Sequence, residues 1–262
     1  MKLRLLKIDA FADRSLTGNP AAIVPLEAWL SVALMQQIAA ENNQSETAFF
    51  VPEGEGYGLR WFTPNVEVAL CGHATLAAGD AVFRFLKPSA RSVRFETLSG
   101  PLTVARQGDG LLVMNFPATP PAANRAPPEA LVNGLGRAPV EALAGPDHIA
   151  VFENAATVRG LKPDLALLET LDLRGVVATA PGEDGIDYVL RFFAPKNAVP
   201  EDPVTGNAQT ALVPYWAKRL GKDRLSVRQL SPRGGAMTCA LVGDRVEIAG
   251  RCALYLDGTI EV

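Results

Sequence analysis

Glu201-Asp-Pro-Val-Thr-Gly-Asn-Ala-Gln-Thr-Ala-Leu-Val-Pro-Tyr-Trp-Ala-Lys-Arg-Leu220 is the stretch that predicts the central element of the fold. It opens with two carboxylates and a proline, turns, and becomes an apolar, alanine-rich segment that predicts a helix. Thr205 or Asn207 can cap this helix, and Gly221 can end it. Pro214 predicts a kink. Because the first N–H groups of a helix lack intrahelical partners, the helix start also predicts an anion site.

The chain contains an internal repeat of this region. Tyr57-Gly-Leu-Arg-Trp-Phe-Thr-Pro64 and Tyr188-Val-Leu-Arg-Phe-Phe-Ala-Pro195 share five residues at a constant offset, 188 − 57 = 131. An apolar run follows each, led by Gly72 in the first half and by Gly206 in the second. The repeat predicts that one strand–loop–helix unit occurs twice, in two similar domains.

Composition excludes several classes of protein. The 262 residues are 48% hydrophobic and carry a net charge of −3 without a basic cluster, so we expect no nucleic-acid and no membrane-surface binding. The charged, apolar N-terminus predicts a strand rather than a signal peptide, and no stretch has the length of a membrane span. Three cysteines without metal-type spacing favour reduced thiols and a cytoplasmic location.

Capping residues, glycines and prolines along the chain predict the remaining elements and the domain boundary. Ser31 can cap a helix that runs to about residue 43. The helix after Gly72 should reach about Leu86, and strands are expected at 93–97, 102–106 and 111–116. Helices flanked by such hairpins argue against a doubly wound parallel sheet. The proline-rich segment 117–128 is the best domain boundary.

Few further residues are candidates for catalysis or substrate binding. Glu46 directly precedes a buried strand, where an unpaired carboxylate is costly. It is therefore either a functional carboxylate or a residue at the sheet edge whose side chain faces water. His73 stands at a helix start, where a neutral ring can bind substrate or simply cap the helix. Cys71 is a thiolate candidate or a small buried side chain. We interpret His148 as structural. No Ser-His-Asp set, phosphate loop, dinucleotide fingerprint or metal-ligand set is present.

Several motifs together resemble the phenazine-biosynthesis isomerase (PhzF-like) family. They are Asp9-Ala-Phe11, Thr17-Gly-Asn-Pro20, Gln44-Ser-Glu-Thr47, Phe62-Thr-Pro64, Cys71-Gly-His-Ala-Thr75 and Glu201-Asp-Pro-Val-Thr-Gly206. The resemblance implies the diaminopimelate-epimerase fold. This is an α+β fold of two pseudo-symmetric domains, each a barrel-like, mostly antiparallel sheet around a central helix, with the site in an interdomain cleft. The expected domains are 1–117, joined by the last strand at 254–262, and 118–253.

The resemblance also assigns site residues. Glu46 matches the catalytic glutamate that carries a proton between carbons, and Asp202 and His73 match further catalytic positions. The residues expected to bind substrate are Asn19, Ser45, Gly72, Gly206 and Asn207.

The chain departs from the family pattern at Asn207, at Gln209 and at Ser231-Pro-Arg-Gly-Gly235, which leaves the substrate's identity open. Related epimerases use two cysteines, whereas here Cys71 matches one of them and the second half offers none. A two-thiol racemase is therefore not predicted.

The leading hypothesis is a cofactor-independent isomerase that moves a proton between carbons of a small cyclic or amino carboxylic acid. One alternative is a racemase or epimerase using Glu46 with Asp202 or Cys71. Another is a non-catalytic protein that binds a small ligand or a protein partner on the same fold. The expected partner is a small-molecule carboxylate, with no metal and no cofactor. The sequence does not determine the oligomeric state, and a homodimer is one possibility.

Overall fold

A computed structural model describes all residues from 1 to 262, and the chain forms two compact units. Unit 1 comprises residues 1–115 and 249–262, and unit 2 comprises residues 116–248. The proline-rich segment 117–128 therefore lies at the beginning of unit 2. Each unit contains more strand than helix, so the class is α+β. No helix in the structure is both long enough and apolar enough to span a bilayer.

Unit 1 is built from nine strands and two helices. The strands are β1 (Lys2–Ala10), β2 (Asn19–Pro25), β3 (Thr47–Glu53), β4 (Gly56–Phe62), β5 (Glu67–Val68), β6 (Ser92–Glu96), β7 (Leu102–Arg106), β8 (Leu112–Pro117) and β18 (Cys252–Glu261). The helices are α1 (Val32–Asn42) and α2 (Gly72–Ala81), and α2 continues as a π-helical turn (Val82–Leu86). The helix expected to reach Leu86 does so, although its last turn is wide.

Helix α2 is the central helix of unit 1. Every residue from His73 to Ala81 is buried, and the helix packs against β1, β2, β3, β7 and β18. Small side chains allow this close packing. A Cβ added at Gly79 would lie 2.7 Å from a methyl of Val104 on β7, so an alanine there would push the helix from the sheet.

The last strand completes unit 1. β18 pairs antiparallel with β1 over its whole length, from Lys2 opposite Glu261 to Ala10 opposite Cys252, with one irregularity after Lys7. β1 also pairs antiparallel with β2. The side chain of Ser31 accepts a hydrogen bond from Leu34 N, which confirms the predicted cap of α1.

Unit 2 also has nine strands, with four helices. The strands are β9 (Ala122–Ala123), β10 (Glu141–Ala144), β11 (His148–Val151), β12 (Val176–Pro181), β13 (Tyr188–Ala194), β14 (Val199–Asp202), β15 (Arg224–Gln229), β16 (Gly235–Val242) and β17 (Arg245–Gly250). The helices are α3 (Glu129–Leu135), α4 (Ala155–Gly160), α5 (Leu165–Glu169) and α6 (Gln209–Leu220), and Pro195–Asn197 forms a 3-10 turn.

The two units use the same order of strand pairings. In unit 1, β2 is parallel to β3, β3 antiparallel to β4, β4 parallel to β6, and β6 antiparallel to β7. In unit 2, β11 is parallel to β12, β12 antiparallel to β13, β13 parallel to β15, and β15 antiparallel to β16. The sheets are thus mixed, with parallel pairs at equivalent places among antiparallel ones.

The start of α6 differs from the sequence prediction. The helix begins at Gln209, its cap residue is Ala208, and no side chain caps it. The prediction that Thr205 or Asn207 caps the helix was wrong, because the Thr205 hydroxyl donates to Asp202 and Asn207 lies in the preceding turn. Gly221 ends the helix with a φ of 65°, as predicted.

Pro214 lies inside α6, and the helix continues through it. A proline has no N–H, so the carbonyl of Thr210, four residues earlier, loses its helical donor. The N–H of Thr119 donates to this carbonyl at 2.9 Å, and the two threonine hydroxyls are 2.8 Å apart. The proline-rich segment thereby replaces the bond that Pro214 removes.

Candidate functional site

Glu46 lies immediately before β3, where that strand runs parallel to β2. Its backbone carbonyl accepts a hydrogen bond from Ala22 N at 3.1 Å, which fixes the position of the residue. The Glu46 side chain is 19% exposed, and its Oε2 atom is buried. The carboxylate is therefore held at the edge of the sheet, with only part of its surface open to water.

His73, the second residue of α2, faces this carboxylate. Its Nε2 lies 3.2 Å from Glu46 Oε2 and 3.3 Å from Ser45 Oγ. The approach to Ser45 has hydrogen-bond geometry, whereas the approach to Glu46 is only within ion-pair distance. Ser45 Oγ also donates to the carbonyl of Pro20 at 3.3 Å. Glu46 Oε2 thus retains accepting capacity beside a buried imidazole.

Cys71 approaches the other ring nitrogen of the imidazole. Its Sγ is 3.5 Å from His73 Nδ1, and the residue occupies the cap position of α2. One hydrogen assignment satisfies these contacts: the thiol donates to Nδ1, and Nε2–H donates to Ser45 Oγ. The imidazole is neutral in that assignment, and it connects the thiol to the region around Glu46.

The neighbouring turn supplies Asn19. Asn19 opens β2 and is fully buried, opposite Ala10 of β1. The preceding Gly18 has a φ of 68°, and a Cβ there would overlap the Ala10 carbonyl oxygen, so only glycine fits. Asp9, also buried, accepts from Leu16 N at 2.8 Å and holds this turn.

Gly72 begins α2, as expected for a helix start that leaves backbone N–H groups free for a ligand. The nearest atom to a Cβ added there would be Met114 Cε, at 3.9 Å. A side chain at position 72 would therefore not overlap other atoms, in contrast to one at Gly79 further along α2.

In unit 2, Asp202 is the last residue of β14 and opens a loop that buried side chains hold. Its Oδ2 accepts from the hydroxyl of Thr205, and its carbonyl accepts from Gln229 Nε2 at 2.7 Å. The same amide's Oε1 accepts from Thr205 N at 2.8 Å. Gln229, 1% exposed on β15, thus bonds the loop backbone at two points. The sequence analysis missed Gln229, because nothing in a strand-like run distinguishes one buried glutamine.

Gln209, the first departure from the family pattern in α6, is fully buried. Its Oε1 accepts from the Tyr188 hydroxyl, and its Nε2 donates to the Thr205 carbonyl at 3.1 Å. Burial raises the pKa of the Tyr188 phenol well above its usual value, so this hydroxyl stays a donor. Gln209 thus supports the loop from within unit 2. Both the oxygen and the nitrogen of its side-chain amide bond other groups of the protein.

The other expected residues of unit 2 lie in the turn before α6. Gly206 is buried and Asn207 partly exposed, and their carbonyls accept from Gln209 N and Thr210 N. Ser231, in the segment that departs from the family pattern, donates to the Pro203 carbonyl at 2.7 Å. That segment therefore buttresses the acidic loop.

The expected residues thus form one cluster in each unit. The first, which we call the carboxylate–imidazole–thiol cluster, comprises Glu46, Cys71 and His73, with Ser45 bonded to the imidazole. The second comprises Asp202 and Thr205, ahead of Gly206 and Asn207. A carboxylate beside an imidazole can accept and return a proton, and a helix start can bind an anion.

Comparisons with known proteins agree with this architecture. The family model described as phenazine biosynthesis-like protein (PhzC-PhzF) matches residues 8–258. A Pseudomonas aeruginosa protein named as an uncharacterized isomerase is 48% identical, with both chains fully covered. A crystal structure of a PhzF-family protein from Enterococcus faecalis has a TM-score of 0.96 at 43% identity, with full coverage of both chains. A hydroxyproline epimerase from Agrobacterium vitis, at 12% identity, TM-score 0.59 and coverage of 99% and 92%, shares the fold.

Proposed function

Because the chain belongs to the PhzC-PhzF, phenazine biosynthesis-like family, we propose that it is a cofactor-independent isomerase of small carboxylic acids. In this proposal the substrate is a cyclic or amino acid with an acidic C–H bond. Glu46 removes the proton from one carbon and returns it to another.

The observation that carries the proposal is the position of Glu46 beside His73. The Oε2 atom of Glu46 is buried, lies 3.2 Å from the imidazole, and retains accepting capacity. General acid–base catalysis requires a carboxylate within reach of substrate and partly shielded from water. The hydrogen bond between His73 Nε2 and Ser45 Oγ keeps the ring oriented while the carboxylate is protonated.

Binding of the substrate carboxylate is assigned to the helix start at Gly72 and to the turn at Gly206 and Asn207. Free backbone N–H groups and the positive end of a helix favour an anion. Asp202 positions the reacting part of the substrate or relays the proton. Its bonds to Thr205 and Gln229 give it the fixed orientation that such a role requires.

A racemase or epimerase is the second candidate. The distance between Glu46 and Cys71 bears on which two residues could act as its bases. Two bases on opposite faces of a carbon lie about 6–7 Å apart, since each needs a contact of about 3–3.5 Å. The ligand atoms of Glu46 and Cys71 lie within 4.8 Å of each other. This separation is shorter than the geometry of two opposed bases requires, so it favours Asp202 over Cys71 as the partner of Glu46 in an epimerase.

The experiment is deuterium incorporation from heavy water into a panel of small cyclic carboxylic and amino acids. We expect Glu46→Gln to reduce exchange into a turned-over acid by about 10²-fold or more, the usual contribution of a general acid–base group. Asp202→Asn should reduce it less if Asp202 only orients the substrate, and equally if it is a second base. Isomerisation places deuterium at a new carbon, whereas epimerisation inverts the original one.

Glu53→Gln is the matched control, since Glu53 is an exposed carboxylate at the far end of β3. It should exchange at the wild-type rate. Undiminished exchange in a folded Glu46→Gln protein would remove Glu46 from the mechanism. A non-catalytic member of the fold would bind an acid from the panel and exchange none.

A further inference from the structure

The carboxylate–imidazole–thiol cluster offers three different metal-binding groups at one point. One ligand atom each from Glu46, Cys71 and His73 lies within 4.8 Å of the other two. The sequence could not show this set, because Cys71 and His73 lie two residues apart at the start of α2 whereas Glu46 comes from the residue before β3. Spacing along the chain therefore predicted no metal site.

We propose that this cluster binds a divalent cation of zinc type, one that accepts thiolate, imidazole and carboxylate together. These three ligand types are the ones that zinc takes in proteins, and hard cations such as magnesium avoid thiolates. On binding, the Cys71 thiol loses its proton to solvent, and its sulfur, one imidazole nitrogen and one carboxylate oxygen bond the cation.

The geometry requires only a small movement. Tetrahedral zinc with S and N bonds of about 2.3 and 2.0 Å places ligand atoms about 3.5 Å apart. The contact between Cys71 Sγ and His73 Nδ1 is already 3.5 Å, and the contact between His73 Nε2 and Glu46 Oε2 is 3.2 Å. Since a single cation uses one ring nitrogen, the third ligand must approach by up to about 1.5 Å, which a side-chain rotation provides.

Two features favour a site rather than a chance grouping. All three side chains are mostly buried, with His73 at 8% and Cys71 at 6% exposure, so their positions are restricted before a cation arrives. The Glu46 Oε2 atom is buried without a hydrogen bond, and a cation would supply the partner that it lacks.

The consequence for activity rests on the proposed function. A cation bonded to Glu46 occupies the oxygen that takes the substrate proton, so zinc should inhibit isomerisation reversibly. The binding itself does not depend on that function, and the two are tested separately.

Titration of the full-length protein with cobalt(II) and zinc(II) is the test of binding. Cobalt bonded to a thiolate gives a near-ultraviolet charge-transfer band, and tetrahedral cobalt gives visible bands. We expect both at one cation per chain, displaced by zinc. Cys71→Ser should abolish the near-ultraviolet band. Glu46→Gln should weaken affinity at least about tenfold, since loss of even a residue that only supports a ligand costs about 10–100-fold.

Cys252→Ser is the matched control, because Cys252 lies on β18 and is not in the cluster. It should keep the band and the affinity. A thermal melt of each variant identifies proteins that have lost the fold, and Cys71→Ala replaces Cys71→Ser if the latter unfolds. Absence of a thiolate band in the wild type, or a band that Cys71 variants retain, would overturn the proposal. Zinc binding without inhibition of exchange would keep the site and contradict the proposed role of Glu46.

Discussion

The backbone N–H of Thr119 donates to the carbonyl oxygen of Thr210 at 2.9 Å, and this is the carbonyl that Pro214 deprives of its helical donor. A proline inside a helix ordinarily costs about 3 kcal/mol or more. Here a hydrogen bond from a distant segment of unit 2 offsets part of that cost. The proline-rich segment thus acts as a structural partner of α6.

A double-mutant cycle tests this relationship. Thr119→Pro removes the donor and should lower the free energy of unfolding by about 1–3 kcal/mol, because the buried carbonyl is left unpaired. In a Pro214→Ala background, the new N–H at position 214 bonds Thr210, so the same change should cost less. Any strain from the added proline is common to both backgrounds and cancels. Equal costs in urea unfolding would show that the Thr119 bond compensates nothing.

Gln229 should stabilise unit 2 through the acidic loop. Gln229→Leu leaves the N–H of Thr205 and the carbonyl of Asp202 without their partner, so the free energy of unfolding should fall by about 2–4 kcal/mol. Hydrogen exchange of the Thr205 amide should accelerate as well. Arg228→Met, at the exposed neighbouring position on β15, is the control and should change neither quantity. A stable Gln229→Leu protein with a protected Thr205 amide would contradict this role.

Gly79 should tolerate no side chain. Alanine favours helices over glycine by about 1 kcal/mol, yet its methyl here would overlap Val104, so we expect Gly79→Ala to destabilise the protein by about 1–3 kcal/mol. Gly160, the last residue of α4, has open space around its Cβ position. Gly160→Ala should be neutral or slightly stabilising in the same denaturation assay. Similar effects of the two substitutions would show that the Val104 contact relaxes freely.

The raised pKa of Tyr215 predicts that the protein loses stability at alkaline pH. Burial, followed by its hydrogen bond to Glu141, raises the pKa of this phenol to about 12, against about 10 in an unfolded chain. A raised pKa contributes stability that is complete below about pH 10 and is lost as the pH rises through about 12. The stability advantage of wild type over Tyr215→Phe should therefore shrink between about pH 10 and pH 12. An advantage that stays constant in urea unfolding would contradict the raised pKa.

Local patterns predicted much of the secondary structure and part of the site. Ser31 and Gly221 were predicted as helix caps from residue type and position alone, because capping depends on neighbours along the chain. The start of α6 was predicted wrongly, since the hydroxyl of Thr205 bonds Asp202 instead of the helix. That choice depends on how Gln229, 24 residues later, fixes the loop. Contacts between residues so far apart along the chain cannot be predicted from the sequence of a short segment.

The same limit applies to the candidate site. Glu46 and His73 were predicted from their positions before a strand and at a helix start, together with the family resemblance. Their 3.2 Å approach, and the inclusion of Cys71, depend on how α2 packs against β2 and β3. Packing of a helix on a sheet sets such distances, and neither periodicity nor spacing encodes it.

The pairing of β18 with β1 has a consequence for the order of folding. Unit 2 is one continuous segment, residues 116–248, whereas unit 1 is divided between residues 1–115 and 249–262. The edge of β1 that pairs with β18 is covered only when strands about 250 residues apart along the chain meet. Because closing so long a loop costs entropy and slows folding, we expect the sheet of unit 1 to be completed later than that of unit 2 in refolding experiments.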